Sequence, residues 1–124
     1  MIVHLDTSAL IDALTGPRRS LDALAALLED GHRLQVSTIV LYEWWRGPRT
    51  RAELAAQEEL LPPEAIVPFT AEEAALAARI YRSVARPRGR EIDLAVAACA
   101  LANSAAIWTL NPADFRDIPD LHLV

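Results

Sequence analysis

The sequence of 124 residues predicts an α/β fold, with one mostly parallel central sheet flanked by helices. The first observation is a set of short runs rich in Val, Ile and Leu. These runs lack polar alternation, as strands buried on both faces do. The second is that helical patterns separate the runs, which is typical of parallel strands joined by helices. The third is that turn signals such as Gly16-Pro17, Gly47-Pro48 and Pro62-Pro63 fall between the elements. A chain of this length predicts a single domain, residues 1–124, around one core.

The first half of the chain predicts two strands, each followed by two helices. Each strand is a short aliphatic run, and each helix has apolar residues three or four positions apart. Asp30-Gly31 ends the second helix, and Ser37 or Thr38 can cap the third. The predicted elements are the strand 2–5, helices 8–14 and 19–30, the strand 34–36, and helices 38–46 and 49–61.

The second half predicts three strands and two helices. The last helix differs from the others because residues 94–102 contain no polar side chain, and a helix that is apolar on every face is buried. Pro87-Arg88-Gly89 marks the turn before it. The predicted elements are the strand 66–68, helices 70–86 and 91–103, and the strands 105–109 and 121–123.

Composition limits the possible functions. The formal net charge of −5 gives no global positive field that would attract nucleic acid, so such a function needs local arginines or bound cations. No run approaches the roughly 20 apolar residues of a membrane helix, and no signal peptide is apparent. The single cysteine, Cys99, allows no intramolecular disulfide. We therefore expect a cytoplasmic protein with no membrane partner.

Two acidic residues lie where apolar elements begin or end. Asp6 directly follows the first strand, and ligands of open α/β sheets bind at the carboxyl ends of strands. Asp6 could instead cap the helix that follows. Asp93 lies in the first turn of the apolar helix. The helix dipole there contributes roughly 0.3–1 kcal/mol, whereas burying an unpaired carboxylate costs several. The alternative is that Asp93 is exposed, like its neighbour Glu91.

Two further acids have unusual neighbours. Glu43 lies among aromatic residues in "LYEWW", although it could also belong to the solvated stripe of its helix. In "IWTLNPADF", Asp114 follows the predicted strand 105–109. Asn111 could cap a short helix there, and Asp114 could complete a capping box with it.

The four acids could converge at one edge of the sheet. Clustered carboxylates repel one another, and a divalent cation relieves that repulsion. Oxygen ligands favour Mg²⁺ or Mn²⁺ rather than Zn²⁺, since the three histidines are far apart in the sequence and Cys99 has no cysteine partner. Sites that hold two such metal ions are a recurrent solution for the hydrolysis of phosphodiester bonds.

Four segments carry a family resemblance. "VHLDTSALIDAL", "VSTIVLYEWWRG", "RGREIDLAVAACALA" and "IWTLNPADF" resemble the four successive motifs of the PIN-domain family, and specifically of its VapC-type toxins. The resemblance covers residues 2 to about 123. It implies a PIN fold, a metal-dependent endoribonuclease activity at a four-carboxylate site, and a cognate VapB-like antitoxin as partner.

The resemblance also implies roles for individual residues. Asp6, Glu43 and Asp93 match the first three family acids and are expected to be catalytic and to bind Mg²⁺ or Mn²⁺. Asp114 is assigned as the fourth, although many members have an acid at the position of Asn111, which remains a possible ligand or water contact. Ser8 and Thr109 match hydroxyls that often line the site.

Substrate and partner contacts can also be predicted. Two arginine groups flank the expected site and could bind RNA phosphates; they comprise Arg46, Arg49 and Arg51, and Arg86, Arg88 and Arg90. Trp44 and Trp45 could stack on bases, or support an antitoxin segment together with Leu41. The alternative for at least one of the two tryptophans is apolar packing within the protein. We expect a homodimer. The alternatives are a non-catalytic PIN-fold protein-binding module, which the uncertain fourth acid favours, and a small Mg²⁺-dependent phosphatase.

Overall fold

The computed structural model describes all 124 residues and contains one sheet of four parallel strands. The strand order is β3-β2-β1-β4, so β1 lies between β2 and β4. In the register, Val3 lies opposite both Leu34 and Ala106. The α/β fold class is therefore confirmed. The strands are β1 (Ile2–Leu5), β2 (Arg33–Ser37), β3 (Ile66–Val67) and β4 (Ala106–Trp108).

Six α-helices connect the strands. Local sequence explains several of their ends: the Ser37 hydroxyl accepts a hydrogen bond from the Val40 amide at 3.2 Å, and Thr50 and Glu53 form a capping box. No helix combines the length and the apolar character needed to cross a bilayer. The helices are α1 (Thr7–Leu14), α2 (Leu21–Glu29), α3 (Thr38–Arg46), α4 (Arg51–Leu60), α5 (Ala71–Ser83) and α6 (Glu91–Ala102), with 3₁₀ turns at Pro63–Ala65 and Pro112–Asp114.

Several predicted elements are shorter than expected, and two of them differ most. The strand predicted at 121–123 is a single parallel bridge between Leu123 and Ile107, next to the backbone turn at Asp120, where φ is +65°. The helix predicted at 70–86 ends at Ser83. Pro87 prevents the helix from continuing through Arg86, because a proline disfavours helical geometry in the residue before it and supplies no amide hydrogen.

Helix α6 is the buried helix that the sequence predicts. Every residue from Leu94 to Ala100 is buried, and α6 packs against α5, α3 and β4. Because α6 leads into a parallel strand, its first turn lies at the carboxyl edge of the sheet. This edge also contains the ends of β1 and β4, where the strand order reverses, which is the ligand-binding position of open α/β sheets.

His4 is a buried polar residue on the central strand β1. Its Nδ1 donates to the side-chain oxygen of Gln35 at 3.0 Å, since an amide oxygen can only accept. Its Nε2 is buried and has no partner. Burial lowers the pKa of His4 to about 4, although the Gln35 hydrogen bond and the charge of Asp6 act in the opposite direction. The imidazole is therefore neutral in the folded protein near pH 7.

This burial predicts loss of stability in acid. Between pH 6.5 and about 4 the unfolded chain protonates His4 but the folded chain does not, so stability falls as the pH falls through this window. We expect the loss to reach about 3 kcal/mol at the acidic end. His4→Asn should remove this component from the pH dependence of unfolding, measured by urea denaturation.

Exposed His122 supplies the matched control, since His122→Asn makes the same chemical change away from the core. An identical pH dependence in the wild type and in His4→Asn would contradict the account of His4.

Candidate active site

Asp6 is oriented by two hydroxyl groups. It occupies the N-cap position of α1, yet its side chain makes no capping hydrogen bond. Its Oδ2 instead accepts from the Thr109 hydroxyl at 2.8 Å and from the Ser8 hydroxyl at 3.0 Å. The residue is only 5% exposed. The alternative that Asp6 serves as a helix cap is therefore wrong for its side chain.

Hydrogen bonds of the backbone and of the Ser8 and Thr109 hydroxyls connect the residues that follow β1 to β4 and the segment after it. The Asp6 amide donates to the Trp108 carbonyl at 3.0 Å, while the Ser8 hydroxyl accepts from the Leu110 amide at 3.1 Å. The Thr109 hydroxyl accepts from the Asn111 amide at 3.0 Å. Both hydroxyls thus receive a backbone proton and direct their own toward Asp6. The prediction that Ser8 and Thr109 line the same site as Asp6 agrees with this arrangement.

Glu43 is held by Thr7, a contact that the sequence interpretation missed. The Thr7 hydroxyl donates to Glu43 Oε1 at 2.6 Å, and Arg46 lies 3.3 Å from Oε2. The Glu43 side chain is 18% exposed, so it does not belong to a solvated stripe. The sequence did carry a signal for this contact, because two hydroxyl residues, Thr7 and Ser8, follow Asp6. In the structure Thr7 donates to Glu43 and Ser8 donates to Asp6.

Asp93 is partly buried in the first turn of α6, whereas neighbouring Glu91 is exposed. No donor of the protein is hydrogen-bonded to its carboxylate. Burial is the largest cause that raises the pKa of Asp93 to about 6, followed by the charges of Asp6, Asp114 and Glu43, while Arg90 lowers it. The charge of Asp93 is therefore disfavoured by burial and by the other three candidate acids.

Asp114 and Asn111 lie in the segment after β4. Asp114 ends the turn Pro112–Asp114, where Asn111 makes no side-chain capping bond, so the expected capping box does not form. The Asp114 carbonyl accepts from Arg90 at 2.8 Å, and its carboxylate accepts no hydrogen bond from the protein. Asn111 is exposed, and only its backbone is hydrogen-bonded.

The donor chemistry of this region fits a hard divalent cation. The acids offer only oxygen, Asp6 Oδ1 and the Asp93 carboxylate accept no hydrogen bond from the protein, and Arg90 offsets only part of the repulsion at Asp93. No three acidic, histidine or cysteine side chains lie close enough to form a closed metal-binding group. Mg²⁺ does not require one, because it is often held by one or two carboxylates, with water and substrate phosphate completing its shell.

Four of the six arginines predicted to contact RNA, namely Arg46, Arg49, Arg88 and Arg90, are in different environments. Arg90 is hydrogen-bonded to Asp117 and to the Asp114 carbonyl. Arg49 donates to the Trp44 carbonyl at 2.9 Å, and its guanidinium lies 4.1 Å from the centroid of the Trp44 ring. Arg46 and Arg88 are exposed, and Arg46 makes the weak contact with Glu43. Arg46 and Arg88 therefore have the guanidinium groups most accessible to a ligand.

The aromatic residues near Glu43 divide into buried and exposed sets. Trp44 is fully buried and Leu41 is 2% exposed, so the expectation that these two contact RNA or an antitoxin is wrong. Trp45 is 56% exposed and Tyr42 is 62% exposed. Trp45 donates its indole N–H to Gln57 at 3.1 Å, which fixes its ring on the surface.

Comparison with known proteins identifies the family. The PIN domain family profile matches residues 3–121. The chain belongs to the PIN domain family. It is 31% identical over 120 residues to Ribonuclease VapC19 from Mycobacterium tuberculosis (strain ATCC 25618 / H37Rv), with 94% of each protein covered. The resemblance to VapC-type PIN domains is thereby confirmed.

Solved structures show the same fold. FitAcB from Neisseria gonorrhoeae matches with a TM-score of 0.71 and 27% identity, over 99% of this chain and 96% of that chain. DNA-bound VapBC from Salmonella typhimurium matches with a TM-score of 0.78 and 20% identity, over 100% of this chain and 97% of that chain.

The repulsion at Asp93 predicts that its removal stabilises the metal-free protein. The folded pKa of about 6 exceeds the unfolded value of 3.8, so the wild type loses stability as the pH rises through this window. Solvent screens a partly exposed group, so we expect Asp93→Asn to add about 1 kcal/mol at pH 7, or about 3 °C in melting temperature. Calorimetry in a chelating buffer measures this.

Asp22→Asn is the matched control, because Asp22 is an exposed first-turn acid of α2 and should give no gain. A destabilised Asp93→Asn protein at pH 7 would show that the carboxylate is compensated in the folded state.

Proposed function

We propose that the protein is a divalent-cation-dependent endoribonuclease and the toxin of a toxin–antitoxin pair. The observation that carries this proposal is the group of four acids at the carboxyl edge of the sheet, where the charges of Asp6, Asp114 and Glu43 contribute to the raised pKa of Asp93. The name of the M. tuberculosis relative, Ribonuclease VapC19, supports RNA as the substrate.

Mg²⁺ or Mn²⁺ is the proposed cofactor. Asp6, Glu43 and Asp93 would hold it, with Asp114 as the fourth acid. When bound, the cation supplies Lewis-acid stabilisation of the phosphate and activation of water. It also compensates the charge at Asp93, which has no donor within the protein.

The chain's own residues orient the acids. Ser8 and Thr109 use Asp6 Oδ2 and leave Oδ1 free, while Thr7 uses one oxygen of Glu43. Asp6 and Glu43 thus each keep an unbonded or weakly paired oxygen on a side chain whose rotation is restricted. Such restriction keeps ligand oxygens in place before the cation or substrate arrives.

Exposed arginines offer contacts for the RNA backbone. Arg88 lies on the loop before α6, and Arg46 lies beside Glu43 at the edge of the acid group. Their guanidinium groups can bind phosphate oxygens and bring a polyanion to a protein of net charge −5. Tyr42 and Trp45 add exposed aromatic surface on the same helix.

The proposed partner is a VapB-like antitoxin. One structural relative is described as a toxin–antitoxin complex from Klebsiella pneumoniae, at 22% identity and a TM-score of 0.72. We further propose that the protein is a cytoplasmic homodimer. Exposed Trp45 and Tyr42 suit a protein contact, because large aromatic residues are enriched at binding hot spots.

A non-catalytic PIN-fold binding module is the second candidate. The observation that favours it is the absence of a closed group of three metal-binding side chains. Such a module would use the same fold and the same exposed aromatic residues, but it would neither require a cation nor cleave RNA.

RNA cleavage distinguishes the two candidates. The purified protein should cleave RNA when Mn²⁺ or Mg²⁺ is added and not in a chelating buffer. Asp93→Asn should reduce the rate by at least roughly 100-fold, since even supporting residues of metal sites change activity by 10–100-fold. Asp22→Asn should cleave at the wild-type rate.

A small phosphate ester serves as the second substrate, because its hydrolysis in preference to RNA would indicate a phosphatase. Metal-independent cleavage, or equal rates for Asp93→Asn and Asp22→Asn, would contradict the proposed nuclease site.

The partner is tested in cells. Expression of the chain alone should arrest growth, and co-expression with the reading frame beside its gene should restore it. Asp93→Asn should remove the arrest but still capture the antitoxin in a pull-down, since one carboxylate is a small part of a protein interface. If the Asp93→Asn protein still arrested growth at equal abundance, the toxicity would not come from the acid group.

A further inference from the structure

We propose that Arg90 and Asp117 form a clamp that positions Asp114 beside Asp93, and that Asp117 keeps the Arg90 guanidinium from binding the carboxylates of the acid group. The inference rests on the proposed function, because it concerns how the four acids are prepared for a cation. It assigns Arg90 a positioning role in place of RNA contact and adds Asp117, which the sequence interpretation did not select.

The clamp joins two segments of the chain, residues 86–90 and 114–117, through one side chain. Arg90 Nη1 donates to Asp117 Oδ2 at 2.9 Å, and Nη2 donates to Asp117 Oδ1 at 2.5 Å, so the pair is bidentate. Nη2 also donates to the Asp114 carbonyl at 2.8 Å, and Nη1 lies 3.3 Å from the Arg86 carbonyl. The Arg90 side chain is only 15% exposed, which is unusual for an arginine.

Backbone geometry places Arg90 within reach of the segment that bears Asp114 and Asp117. Gly89 has a φ of +82°, a conformation that suits glycine, and the turn brings Arg90 to the N-cap position of α6. Asp93 follows three residues later, in the first turn of the same helix. Arg90 therefore connects the element that bears Asp93 to the turn that bears Asp114.

Apolar contacts fix the turn but do not orient Asp114. Phe115 is 1% exposed and Ile118 is 3% exposed, so both are anchored in the core. Asp114 and Asp117 each precede one of these anchors and are less buried. The core thus keeps the segment folded, while Arg90 is the side chain that holds the Asp114 carbonyl. Loss of the clamp should loosen the turn without unfolding the protein.

Asp117 also controls where the Arg90 charge goes. The guanidinium lowers the pKa of Asp93. The hydrogen bond with Asp117 is the largest cause that raises the pKa of Arg90, and the charges of Asp117, Asp114 and Asp93 act in the same direction. Without Asp117, the guanidinium would be attracted to Asp93 and Asp114 and would compete with a cation for them. The bidentate hydrogen bonds to Asp117 hold the guanidinium and oppose this competition.

The experiment measures Mn²⁺ affinity by electron paramagnetic resonance of free Mn²⁺, in parallel with hydrogen exchange of the segment 112–118. Asp117→Asn should weaken Mn²⁺ binding by roughly tenfold or more and accelerate exchange in this segment, with little change in melting temperature. Asp117→Glu should restore part of the affinity, because it retains the carboxylate.

Matched controls separate the clamp from net charge. Asp120→Asn makes the same charge change three residues away, where Asp120 is exposed, and should bind Mn²⁺ like the wild type. Arg90→Gln should also loosen the segment, whereas Arg19→Gln, which breaks the ion pair of Arg19 with Asp12, should not. Arg90→Lys should fail to restore exchange protection, since a lysine cannot form the fork.

The outcomes distinguish this inference from the proposed function. A wild type that neither binds Mn²⁺ nor cleaves RNA would overturn the proposed function, and the clamp with it. A wild type that does both, with unchanged Mn²⁺ affinity and exchange in Asp117→Asn and Arg90→Gln, would overturn the clamp alone.

Discussion

The constraint on which the site depends is the repulsion among carboxylates gathered at a partly buried edge of the sheet. β1, β4 and α6 all meet at this edge, because the strand order reverses between β1 and β4 and α6 leads into β4. Asp93 has no donor to compensate its charge, and its pKa of about 6 reflects both burial and the other acids. We propose that this unfavourable arrangement holds ligand oxygens ready for a cation.

The rest of the structure supports these acids from two sides. The core is apolar enough to enclose most of α6, and that enclosure fixes its first turn against the sheet. Hydroxyl groups then set the direction of individual carboxylates: Ser8 and Thr109 act on Asp6, and Thr7 acts on Glu43. Packing thus places the backbone and hydrogen bonds orient the side chains, so neither alone accounts for the site.

The sequence predicted the sheet and the elements that carry the acids, since apolar runs and turn residues are local signals. It could not show which of Trp44 and Trp45 is buried, because adjacent helical residues point only about 100° apart and tertiary packing decides between them. It also missed Thr7 and the Arg90–Asp117 pair. Arg90 and Asp117 are 27 residues apart, and no local pattern marks a contact formed by folding. The last strand was overpredicted because a short apolar run at 121–123 makes only one bridge.

Anomalous diffraction from crystals soaked in Mn²⁺, collected above the manganese absorption edge, tests directly whether these carboxylates hold a cation. We expect an anomalous peak among Asp6, Glu43 and Asp93, close to the free oxygen of Asp6. The peak should be absent from crystals of Asp93→Asn grown and soaked in the same way. A peak elsewhere on the protein, or a fully ordered acid group without any peak at saturating Mn²⁺, would contradict the claim that these carboxylates are gathered to hold a cation.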